Sequence, residues 1–152
     1  MRADSALLAG ALAFAAADAF GSVVAVRHDV AGEPLGVSIP VTVRTGLMLG
    51  WGAGVAAPWP MPAAALIAAA RAGSVEGRAV SGLIAAGVGF GCIAGTLVEP
   101  VTYRRRASTP AIRTAIAVNL LASAALAAAG LRSVALSRSA SLPSVAHRIV
   151  DK

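Results

Sequence analysis

The stretch "RTGLMLGWGAGVAAPWPMPAAALIAAAR", residues 44–71, decides the fold. It is long and apolar enough to cross a hydrocarbon layer of about 30 Å as one helix. Pro58, Pro60 and Pro62 argue against that, because an interior proline removes a backbone donor and clashes with the preceding turn. Two arrangements follow. In one, the span is broken near mid-membrane, as in transporters whose discontinuous helices turn backbone groups toward a solute. In the other, a helix covers about 37–57, Trp59 anchors at the lipid–water interface, and 63–72 forms a short interfacial or re-entrant helix. The second is the expectation, since a break exposed to lipid leaves unsatisfied backbone groups at several kcal/mol each.

Three further apolar runs flank this segment. Residues 5–26 form the first span, stopped by Arg27, His28 and Asp29. A secretory signal is its rival reading, but the apolar run continues past the small residues at 15–17 to full spanning length. Residues 79–98 form the next, closed by Glu99 and Pro100, and 111–131 the last, opened by Pro110. The connection 27–40 reads as a loop, and the serine-rich tail 133–152 as a flexible appendage to a bundle within 1–132. The expected fold is therefore an all-α integral membrane protein, a four-helix transmembrane bundle. Both termini then lie on one face, X, opposite a face Y. Arginines are divided almost evenly between the two, so charge bias does not set orientation, although the compact "YRRR" loop at 103–106 leans toward a cytoplasmic Y.

Composition agrees with lipid as the solvent. Of 152 residues, 57% are hydrophobic and 13% charged, and the mean hydropathy is +0.77. Aromatics amount to only 4%, too little bulk for an aqueous core of this length. The net charge of +6 does not indicate nucleic acid, because the arginines fall between apolar runs rather than on one solvated face. Beside anionic headgroups each contributes about 1 kcal/mol. The abundance of alanine, with arginine almost wholly replacing lysine, suits a GC-rich genome and a bacterial inner membrane. The expected partners are the bilayer and either further copies of the chain or another membrane protein. Cys92 alone excludes an internal disulfide, and His28 and His147 lack ligand spacing, so neither metal nor cofactor is implied.

Inside the first span, "FAAADAFGS" at 14–22 places Asp18 in oil. Ala11, Ala15, Asp18, Ser22 and Ala25 follow a 4-3-4-3 spacing, so Asp18 shares a seam of small residues that faces protein. A charged Asp at a helix centre costs about 2.5–3.5 kcal/mol, so it needs a partner, water or a proton. Asn119 in the last span lies at similar depth, and Arg44 enters from Y as a charge partner. Glu99, with Thr96 one turn before it, pairs in this reading with Arg104 or Arg113. The group is either interhelical glue or a Y-side cavity in which Asp18, Arg44, Asn119, Glu99 and Thr96 handle a proton, cation or small ligand.

Two glycine ladders complete the pattern: Gly46, Gly50 and Gly54, then Gly87, Gly91 and Gly95. Each GxxxGxxxG presents backbone notches for close helix packing. Enzyme chemistry has little support, with no nucleophile elbow and no nucleotide-binding loop; a lipid enzyme using Asp18 or Glu99 is the residual alternative. Size and span count are similar to those of small bacterial multidrug and fluoride transport proteins. Asp18 stands in a different context, however, and "GTLVEP" lacks the asparagine-containing pattern of the fluoride channels, so no family is assigned. The expected function is transport or small-ligand binding, with a structural or accessory subunit docking through glycine faces as the alternative.

Overall fold

In a computed structural model, the chain is described over residues 4–103 and 109–150, with side chains through 140. Five α-helices and two short 3-10 turns make up the regular structure of the described residues: α1 Ser5–His28, α2 Val43–Leu49, α3 Pro60–Arg71, α4 Val75–Val98 and α5 Pro110–Val150. Local chemistry sets the boundaries. Asp4 caps α1 by accepting from Leu7 N at 3.2 Å, and Asp29 ends it in the left-handed conformation. Ser74 caps α4 by accepting from Gly77 N at 2.9 Å. Pro110 opens α5 in the first turn, where its missing N–H has no helical acceptor to lose.

Three helical stretches, Ser5–His28, Val75–Val98 and Pro110–Ala140, are long and apolar enough to cross a membrane. They form the frame. Gly82 faces Gly130 and Val134, whereas Gly89 faces Ser123 and Ala127, so α4 and α5 run antiparallel. Gly10 meets Ala125, Leu126 and Ala129, and Gly21 meets Asn119, so α1 is antiparallel to α5 as well. Backbones come this close because the meeting positions carry no side chain or a methyl group.

The decisive segment departs from the expected helix over 37–57. Only α2 is helical there, and at about 1.5 Å per residue its seven residues cover about a third of a bilayer. Gly50, at φ 100°, closes it, residues 50–59 are irregular, and α3 begins at Pro60. Prolines that would break a helix interior stand at its first turn instead. The short helix expected over 63–72 thus begins earlier and lies within the bundle rather than at its margin. Its Ala65 and Ala69 pack with Leu7, Ala11 and Leu126, while Val43 and Leu47 near α2 pack with Val24, Ala25, Ile112 and Ile116. Residues 43–71 therefore connect the Y end of α1 to the X end of α4.

Two further expectations are corrected. Helix α5 continues through Val150 instead of ending at 131. Its seam of small residues carries on: Ser133 is fully buried and donates to Arg78 O at 3.3 Å, Ser137 is buried, and Arg132 approaches Asp4 at 3.6 Å. The glycine ladders do not make the helix contacts within the chain. Gly46 alone of the first set lies within α2, Gly50 caps it and Gly54 sits in the irregular stretch. At Gly87, Gly91 and Gly95 an added Cβ meets no atom within 4 Å, whereas at Gly82, Gly89 and Gly130 it meets backbone inside 3 Å.

This contrast predicts opposite effects of enlarging glycine. Gly130→Val, forced against the backbone of Gly82 and Ala86, lowers stability by about 1–3 kcal/mol or more. Gly87→Ala leaves it unchanged or raises it by up to about 1 kcal/mol through helix propensity. Thermal unfolding of the two variants in detergent checks both signs.

Candidate functional site, a cavity beside the broken helix

An irregular segment in apolar surroundings must find partners for its peptide groups. Part of the need is met locally. Trp51 N and Gly52 N both donate to Gly46 O, at 3.1 and 2.9 Å, and Ala53 and Ala56 exchange two backbone hydrogen bonds of 2.9 and 3.0 Å. Trp59 N donates back to Leu47 O at 2.9 Å, tying the start of α3 to α2. Gly52 reaches φ 71°, a left-handed turn that a side chain disfavours.

The rest comes from the polar residues of the neighbouring helices. Asp18 Oδ1 accepts from Ala57 N at 2.7 Å, Asn119 Nδ2 donates to Val55 O, and Ser22 Oγ accepts from the Trp59 indole at 3.1 Å. Asp18, Ser22 and Asn119 are all buried. Gly21 lets the segment approach: a Cβ there would overlap Val55 O and the Asn119 amide. Asp18 and Asn119 thus lie at matching depth without bonding each other. They grip adjacent peptide units of the strip, Asp18 through Ala57 N and Asn119 through Val55 O.

A cavity of about 200 Å³ lies on the other side of this strip. Trp51, Ala53, Ala56, Ala57 and Pro58 contribute to one wall, Gly91, Cys92, Gly95 and Thr96 of α4 to another, and Asn119 and Ser123 of α5 to a third, with Met61 and Glu99 also in the lining. Three residues singled out in the sequence, Asn119, Thr96 and Glu99, are brought together here, joined by Gly50, Gly91 and Gly95 from the two ladders. Asp18 stands one layer behind, holding the Ala57 peptide. Arg44 is exposed on α2 and makes no ion pair with Asp18, because α2 ends at Gly50 and keeps Arg44 at its outer turn.

Several polar groups in the lining are hydrogen-bonded within the protein. Asn119 spends its amide N–H on Val55 O, and its Oδ1 is buried without a hydrogen-bond partner. Thr96 Oγ1 donates to Cys92 O at 2.9 Å, and Cys92 Sγ lies 3.4 Å from Met61 Sδ as a donor. Glu99 is 7% exposed and accepts from Glu33 N at 2.9 Å. Burial raises the Glu99 pKa above its ordinary 4.5; the Glu33 N–H acts against this, and the Glu33 charge adds to it. Arg113 is exposed and forms no ion pair with Glu99 among the described residues, and Arg104, with Arg105 and Arg106, lies outside them. Among the described residues no cluster of three His, Cys, Asp or Glu side chains is placed to hold a metal.

Sequence reading missed Gly21, Met61 and Ser123 as parts of the site. Cys92, read there as a packing residue, also borders the cavity. Only Ser22 carried a usable signal, its place on the Asp18 seam. The others are apolar or small residues whose role depends on where the irregular strip runs.

Two measurements probe the support. Asp18→Asn keeps an acceptor for Ala57 N and preserves stability, whereas Asp18→Leu orphans that N–H and costs about 1–3 kcal/mol in detergent unfolding; equal stability of the two would remove Asp18 from the role given to it. For Glu99, the folded chain binds its proton more tightly than the unfolded chain. Stability from this group is therefore full below pH 4.5 and declines as pH rises toward the raised folded value. Wild type accordingly loses stability relative to Glu99→Gln across that window, and a pH-independent difference contradicts the assignment.

Comparison with known protein families, curated proteins and solved structures gives no match to this chain.

Proposed function

We propose that this chain is a multi-pass membrane protein of the bacterial inner membrane that binds a small solute in the cavity beside residues 50–59, as the binding step of transport. Its architecture in this reading is a bundle of four crossings, the second made of α2, the irregular strip and α3. The connection of the Y end of α1 to the X end of α4 through 43–71 supports that count. So does the satisfaction of the strip by Asp18 and Asn119, since irregular backbone at membrane depth is tolerated where protein or a cavity surrounds it.

One observation carries the proposal: Asn119, a residue only 5% exposed whose Oδ1 has no hydrogen-bond partner, belongs to the lining of the cavity. A buried carbonyl without a donor costs free energy that water or a ligand recovers. Glu99 and Thr96 at the same cavity give the ligand further polar contacts, while Met61 and the alanines supply the apolar ones. The alternative, an accessory subunit that docks through glycine, draws on the open space at Gly87, Gly91 and Gly95. Gly91 and Gly95 border the cavity, which favours solute over helix as their neighbour.

Water access separates these readings. With Cys92 replaced by Ser, a cysteine is placed at Gly91 or at Phe90, which is 53% exposed on α4, and membrane vesicles are treated with a water-soluble cationic thiosulfonate. Gly91→Cys reacts and Phe90→Cys, facing lipid at nearly the same depth, does not. Equal protection of both positions overturns the solute reading, and a disulfide-linked dimer through Gly91→Cys favours the docking one.

A further inference from the structure

The charge of the cavity narrows what fits it. Glu99 supplies an acidic side chain to the lining, Asn119 and Thr96 add acceptor oxygens, and the Ser123 hydroxyl and Trp51 indole add neutral donors. Val55 O holds the Asn119 amide with Nδ2 toward the strip, which orients Oδ1 as the remaining acceptor. Thr96 has given its proton to Cys92 O, leaving oxygen lone pairs. Glu99 is a carboxylate at one end of the cavity, and the bond it accepts from Glu33 N leaves further lone pairs on the group. No Lys or Arg side chain appears in the lining among the described residues. An anion would meet the Glu99 carboxylate and, among the described residues, no countercharge.

Size narrows the class further. At about 30 Å³ of liquid volume per water, 200 Å³ holds roughly seven waters. This is smaller than the range of drug-sized pockets, about 300–1,000 Å³. The remaining surface is contributed by Met61, Ala53, Ala56 and Pro58, which offer contact to hydrocarbon. Both ladder glycines are exposed and open, so the cavity is reached along the α4 edge without moving a side chain at either position.

We infer that the cavity selects a small alkylammonium: a cationic N–H donor directed at Glu99, with Thr96 and Asn119 beside it and a short hydrocarbon body against Met61 and the strip alanines. The assignment rests on the solute-binding reading above and adds the ligand class. Charge-assisted hydrogen bonds are about twice as strong as neutral ones, so the ammonium is favoured over an alcohol of the same shape.

The test uses the full chain in detergent micelles, with n-butylammonium chloride, n-butanol and sodium butyrate as probes at matched ionic strength, read by thermal unfolding and titration calorimetry. Butylammonium is expected to bind and stabilise, butanol more weakly and butyrate not at all. Glu99→Gln weakens butylammonium binding about tenfold or more, and Gly91→Leu, whose Cβ enters open space, abolishes it by filling the cavity. Asn119→Leu is a further probe of the acceptor, and because it also releases Val55 O, Glu99→Gln and Gly91→Leu carry the conclusion if it does not fold. Butanol or butyrate binding as well as butylammonium, with sensitivity to Gly91→Leu, overturns the ligand class and leaves the cavity standing as a solute site. Stabilisation by butylammonium that Glu99→Gln and Gly91→Leu leave intact places the amine elsewhere and overturns the assignment. Absence of binding by all three probes overturns the ligand class together with the solute reading.

Discussion

Peptide groups in an apolar interior must be hydrogen-bonded, and residues 50–59 are the place where helix geometry does not supply the partners. The bundle is arranged around that need. Asp18 takes the Ala57 N–H, Asn119 serves the Val55 carbonyl, and Ser22 receives the Trp59 indole proton. These polar side chains are costly on apolar helices taken singly. Opposite an irregular strip they are complementary to it, and the absence of a side chain at Gly21 lets the strip come within reach.

The same arrangement leaves a space. The strip is narrower than a helix and cannot fill the gap between α1, α5 and the glycine-lined edge of α4, so the cavity lies against it. Support of the strip and lining of the cavity fall mostly to different residues. Asp18 holds the strip from behind, whereas Asn119 belongs to both groups, its nitrogen committed to Val55 O and its residue part of the lining.

Much was legible without coordinates. Runs of about twenty apolar residues identified the three long helices to within a few residues at most ends, because length and hydropathy are properties of each segment alone. Asp18, Asn119, Thr96 and Glu99 stood out for the same reason: a polar group in an apolar helix is conspicuous wherever it points. The ladders misled. GxxxGxxxG records only that one helix face is free of side chains, and Gly82, Gly89 and Gly130, in no such run, make the close contacts between α4 and α5. The extent of α5 beyond 131 was equally hidden, since serines read as tail composition become packing residues once Arg78 and Asp4 lie opposite them.

The sequence by itself determined an all-helical, lipid-compatible chain, its three long helices, and the choice at the prolines between a broken span and a marginal helix. Tertiary structure decided the path of that segment, a short α2, an irregular strip and α3 packed against α1 and α5. The cost of breaking a helix depends on whether other elements bring donors and acceptors to the break, and that is a fact about neighbours distant in sequence. Residues 18, 22 and 119 become the partners of 55–59 only when α1 and α5 lie antiparallel around the strip.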